Sequence, residues 1–90
     1  MNEREGEADR KLGQLYEDQG NEESQTKAAY FYRRYLKKRK DNVCDEESYY
    51  PALFLCRYYK ERGEMDLFHR MCQMLVVANS EVRVKYVNKV

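Results

Sequence analysis

Two side chains in the 90-residue sequence could in principle do covalent chemistry together. His69 and Cys72 stand three positions apart on a stretch with helical periodicity, so an imidazole could meet a thiol. A Cys–His nucleophile also needs a group to orient the base and donors for an oxyanion. Neither is in view: no glycine-rich loop follows, and Cys72 falls in an apolar stripe. We therefore read Cys72 as a packed thiol beside a surface histidine. Cys56 sits where two helices should cross closely, which is again packing, and Cys44, in a polar connection, is the thiol expected to be most exposed. Three cysteines with no CxxC and one histidine fit neither a disulfide framework nor a zinc site. No catalytic, cofactor-binding or metal-binding residues are assigned, and the chain is not expected to be an enzyme.

Charge gives a second candidate chemistry. "RRYLKKRK", residues 33–40, holds six bases in eight positions and could serve as a nucleic-acid or nuclear-import patch. The competing explanation is the solvated end of a helix, whose dipole favours cations there. We prefer that explanation, because the neighbouring segments cancel the field. Residues 1–24 carry a net −5, 25–40 carry +7, 41–66 carry −4 and 67–90 carry +3. The overall charge is only +1.

These residues need elements to position them, and composition limits the choice. With 37% charged residues, one proline and four glycines, the chain suits helices around a thin core, not a sandwich or barrel. Nine tyrosines and no tryptophan suggest rings buried with their hydroxyls at a polar partner. No apolar run approaches a membrane span and the first residues lack a signal peptide's apolar stretch, so a soluble, intracellular chain is expected.

Periodicity divides the chain into four helices. Ala8, Leu12, Leu15 and Tyr16 mark the first as amphipathic, and Gly20 can end it in a left-handed cap. A second is expected from near Ser24 to Lys40, with Ala28, Phe31, Tyr32, Tyr35 and Leu36 inward. "DNVCDEES", residues 41–48, reads as a connection. Ser48 is then the N-cap of a third helix, with Pro51 in its first turn and Ala52, Leu55, Cys56 and Tyr59 inward, ending at Gly63. The fourth is expected over 65–78 with Phe68, Met71, Cys72, Leu75 and Val76 inward, broken by Asn79–Ser80. Residues 81–90 fit a strand by alternation or a helix by the shared face of Val82, Tyr86 and Val90. We favour a capping helix, since a lone strand would have no partner.

The sequence also repeats itself. "LGQLYEDQG" (12–20) and "LCRYYKERG" (55–63) both place Tyr four residues and Gly eight residues after a Leu. Each has a small residue beside that Leu, Gly13 or Cys56, where a large side chain would hold two helices apart. With Ala28, Tyr32, Tyr35 and Leu36 following, the pattern resembles the tetratricopeptide repeat, a helix–turn–helix unit of about 34 residues. The spacing here is about nine residues longer, and Phe68 stands where Ala28 does in the first unit. The expected architecture is all-α: repeats over 1–41 and 42–79 and a capping helix over 80–90, forming a right-handed solenoid segment. Two units and a cap fall short of the roughly three usually needed for a continuous core, so a low, cooperative thermal transition is expected.

At greater length, "LGQLYEDQG…KAAYFYRRYLKKRK", "ALFLCRYYKERG" and "CQMLVVANSEVRVKYVNKV" resemble the C-terminal region of the cell division cycle protein 23 family, subunit eight of the anaphase-promoting complex. That resemblance implies a non-catalytic scaffold in a multi-subunit ubiquitin ligase of the cell cycle, in nucleus and cytoplasm. Its partners would be neighbouring subunits and coactivator tails, with no cofactor, no membrane and a homodimer left open. The family's geometry implies that first helices line a groove, here through Glu7, Arg10, Gln14, Glu17, Asp18, Tyr50, Leu53, Arg57, Lys60 and Glu61. An extended peptide would find apolar contacts at Tyr50 and Leu53. Two other readings are a tetratricopeptide adaptor or co-chaperone gripping a C-terminal carboxylate, and a basic RNA-binding module centred on 33–40. Gln14 and Glu17, standing where Asn or Lys would help, weaken the first. Balanced charge weakens the second.

Overall fold

The computed structural model describes residues 6–39 and 46–87, and the side-chain surroundings of 6–39 and 47–76. The fold is all-α: α1 (Glu7–Gln19), α2 (Glu22–Lys38), α3 (Glu46–Glu61) and α4 (Met65–Val87). The chain divides into two compact units, Met1–Asp41 and Asn42–Val90. In the first α1 packs on α2, and in the second α3 packs on α4.

The first hairpin turns on Gly20, whose φ of 77° lies in the left-handed region that a side chain disfavours. Its amide donates to the Glu17 carbonyl at 3.1 Å, closing the end of α1. Asn21 then caps α2, its Oδ1 accepting from the Ser24 amide at 2.8 Å. Asn21 thus starts α2 at Glu22, two residues before the expected Ser24, and Ser24 is buried in the first turn. Ala28, Ala29, Tyr32, Tyr35 and Leu36 supply the core of this unit. Each large side chain fully buried there contributes about 1.5–3 kcal/mol.

The second hairpin repeats the device at Gly63, φ 74°. Here the Gly63 amide donates to the Lys60 carbonyl at 3.1 Å and the Glu64 amide to the Tyr59 carbonyl at 2.9 Å. Ser48, Ala52, Leu55 and Tyr59, spaced four, three and four apart, form the buried row of α3. Phe54, Met71 and Leu75 are also buried.

Three expectations change. α3 begins at Glu46, so Ser48 lies inside the helix and Pro51 in its second turn. Two acids at its start suit the helix dipole, and Pro51 forfeits one backbone bond there. α4 runs unbroken through Asn79 and Ser80 to Val87, so the 81–87 alternation is helical and the cap is no separate element. Asn and Ser each cost a helix interior less than about 0.7 kcal/mol relative to Ala, too little to stop it. Val76 is 64% exposed and not inward, one position beyond the row set by Met71 and Leu75. Cys44, Lys40, most of the 41–48 connection and residues 88–90 lie outside the described residues, as do the side chains of Val82 and Tyr86.

Candidate functional site

α1 is organised as three parallel rows at four-then-three spacing. Asp9, Gly13 and Tyr16 face α2. Asp9 is 5% exposed, and its Oδ2 lies 2.7 Å from Lys38 Nζ, its Oδ1 3.7 Å from Arg34 Nε. A Cβ at Gly13 would come within 2.6 Å of the Tyr32 ring, closer than packed atoms approach, so no larger residue fits without displacing that ring. Tyr16 stacks on Phe31 at 5.6 Å between centroids, the planes 5° apart, with Lys27 Nζ 5.4 Å from the Tyr16 ring.

On one flank of that row stand Arg10, Gln14 and Glu17, with Asp18 beside them: the α1 part of the expected groove. Gln14 and Asp18 are exposed. Arg10 is half-buried and 4.0 Å from Glu7 Oε1. Glu17 is half-buried too, and its Oε1 accepts from the Tyr32 hydroxyl at 2.7 Å. That contact turns the Glu17 carboxylate toward α2, because a buried phenol must place its hydroxyl at an acceptor.

The α3 part of the expected groove also shares one flank, at spacings of three and four. Tyr50, Arg57, Lys60 and Glu61 are exposed and Leu53 is half-buried. Tyr50 and Leu53 give this flank an apolar end. Lys60 reaches α4, its Nζ 6.0 Å from the Phe68 ring.

The other flank of α1 was misread from sequence. Ala8, Leu12 and Leu15 fit an inward stripe, yet Ala8 is exposed, Leu12 is 37% exposed and Leu15 56%. The row that packs on α2 contains a charge and a glycine, so an apolar count alone selects the wrong face. Asp9 was the missed residue. Its signal was present: Lys38 and Arg34 near the far end of the antiparallel partner could neutralise it.

The basic stretch is drawn into the hairpin. Lys38 and Arg34 serve Asp9, and the Arg39 guanidinium lies 5.4 Å from the Tyr35 ring. Arg34 Nη1 donates to the Tyr30 hydroxyl at 3.4 Å. That bond first, and Asp9 second, hold its pKa above the ordinary value. Arg33 and Lys37 are exposed.

Cys72 is half-buried beside an exposed His69, as the sequence suggested, and its sulfur meets a different partner. Cys72 Sγ lies 3.5 Å from Cys56 Sγ, across the α3–α4 crossing, while His69 is exposed with its ring 5.6 Å from Phe68. Burial, then the hydrogen bond with Cys72 and its charge, push the Cys56 pKa up to about 11, against a smaller opposing effect of Lys60. Among the described residues no three metal-ligating side chains converge, and no helix is long and apolar enough to cross a membrane.

No protein-family model, curated protein or solved structure matches the chain.

Proposed function

We propose that the chain is a non-catalytic, protein-binding scaffold of the tetratricopeptide class, working within the multi-subunit ubiquitin ligase that its sequence resembles. The observation that carries the reading is the exposed row Ala8–Leu12–Leu15 on α1. An apolar helix flank left in solvent is suited to receive an amphipathic helix, which would anchor at the same four-then-three spacing. In a repeat array the occupant is a helix of the preceding unit or of a neighbouring subunit. The two glycine-ended hairpins and the small-residue crossing at Gly13 support the repeat class. Each unit also carries a flank of its own suited to an extended segment such as a coactivator tail: the polar row of α1 in the first, and the Tyr50–Leu53 end of α3 in the second.

A carboxylate-gripping adaptor gains no support: Glu17 adds negative charge on that flank and is itself engaged by Tyr32. An RNA-binding module gains none either, since Arg34, Lys38 and Arg39 make contacts within their own hairpin. The testing experiment is affinity purification of the tagged chain from its source, followed by mass spectrometry. Recovery of ubiquitin-ligase subunits is expected. Recovery of chaperones in their place would overturn the reading.

A further inference from the structure

The unit formed by α3 and α4 contains two thiols 16 positions apart in sequence whose sulfurs lie 3.5 Å apart. Both are unbonded and half-buried. They are thus shielded from large reagents and open to small ones. Cys56 sits beside the buried row Ala52–Leu55–Tyr59, and Cys72 beside Met71 and Leu75, so each is carried on a backbone fixed by its neighbours. A disulfide requires the sulfurs to close to about 2.05 Å, an approach of about 1.5 Å from where they stand. Packing alone asks only for a small residue at this crossing. Two thiols aimed at one another supply a chemistry as well.

We propose that Cys56 and Cys72 are a peroxide-responsive pair that closes reversibly into an intramolecular disulfide tying α3 to α4. The Cys72 thiolate attacks one oxygen of hydrogen peroxide. The O–O bond breaks, hydroxide leaves and takes a proton to become water, and Cys72 becomes a sulfenic acid. Cys56 sulfur then attacks the sulfenic sulfur. The S–O bond breaks and the departing hydroxide takes the Cys56 proton as a second water. Two thiols have lost two electrons to one peroxide, and a thiol reductant reverses the bond by exchange. The order of attack follows from environment: burial and its partner keep Cys56 protonated, which disfavours it as the first nucleophile and leaves it to lose its proton as it meets the sulfenic sulfur.

The test uses the full chain carrying Cys44→Ser, so that one thiol pair remains. It is treated with hydrogen peroxide, alkylated, digested with trypsin and weighed. The expected product is the peptide 41–57 joined to 71–83, removed by dithiothreitol, in chains that stay monomeric. Cys56→Ser in the same background should stop at a sulfenic acid on Cys72, trapped by a dimedone probe. Cys72→Ser should give at least tenfold less labelling. Helicity measured by circular dichroism confirms that each variant is folded. Over-oxidation of Cys72 without the joined peptide would overturn the proposal. So would joining only between two chains, or dimedone labelling of Cys56 in the Cys72→Ser variant at the rate seen for Cys72.

Discussion

The two hairpins use the same turn and different crossings. Each ends its first helix on a glycine with positive φ, Gly20 or Gly63, and returns antiparallel. At the next level they part. The α1–α2 crossing is closed by the absence of a side chain at Gly13, filled by Tyr32, and flanked by the Asp9–Lys38 ion pair at one end and the Tyr16–Phe31 stack at the other. The α3–α4 crossing has no glycine. It brings Cys56 against Cys72 and buries a more apolar row of Ala52, Leu55, Tyr59, Met71 and Leu75. One crossing is specified by shape and charge, the other by aliphatic packing and a thiol pair. Repetition in the sequence therefore preserves the turn more faithfully than the contact it sets up.

The largest effect that separates the two should come from Gly13→Leu. Its Cβ alone would lie 2.6 Å from the Tyr32 ring, and overpacking of this kind costs about 3 kcal/mol. Urea denaturation should show that loss, and the equivalent small-to-large change Cys56→Met, at a crossing without glycine, should cost less. The second effect runs the other way. Oxidising the thiol pair closes a loop of 16 positions, which stabilises by about 3 kcal/mol at most on a chain-entropy argument. The thermal midpoint of the Cys44→Ser chain should rise on oxidation and return with dithiothreitol.

Asp9→Asn keeps the shape and removes the charge. With Asp9 buried and Lys38 2.7 Å away, a partly exposed ion pair of about 1 kcal/mol is lost, and the loss in urea should be largest for this carboxylate of α1. Alkali should act on the other hairpin. The Cys56 pKa in the folded chain is raised to about 11, so below the unfolded value, near 9, its contribution is fully present. Between about 9 and 11 the unfolded chain sheds the proton first, and stability falls as pH rises. Cys56→Ser should flatten that part of the pH–stability curve.

Much of this architecture was legible in the sequence. The helices, the turn glycines and the small residue at Gly13 follow from periodicity and from backbone conformations that only a few residues tolerate. Tyr32, Tyr35, Leu55 and Tyr59 fell on their inward faces because the second and third helices are densely apolar there. The first helix was harder. Its inward row is Asp9–Gly13–Tyr16: Tyr16 and Gly13 were legible, while an apolar count passes over Asp9 in favour of Ala8, Leu12 and Leu15. The Cys56–Cys72 pair was invisible for another reason: the spacing of 16 is not a helical one, and only the α3–α4 hairpin makes the two neighbours. The long α4 was missed because Asn79 and Ser80 are weak stops when no glycine or proline follows.

The smallest stability effect carries the functional claim. Charge on the exposed flank, in Leu12→Glu with Leu15→Glu, should leave stability within about 0.5 kcal/mol per site. The wild-type chain and this variant, matched for helicity, should be compared as baits for the ligase subunits recovered from the source. The account predicts that the wild type retains those subunits and the variant loses them. Equal recovery by both would show that α1's outward row is not the interface and would contradict the account.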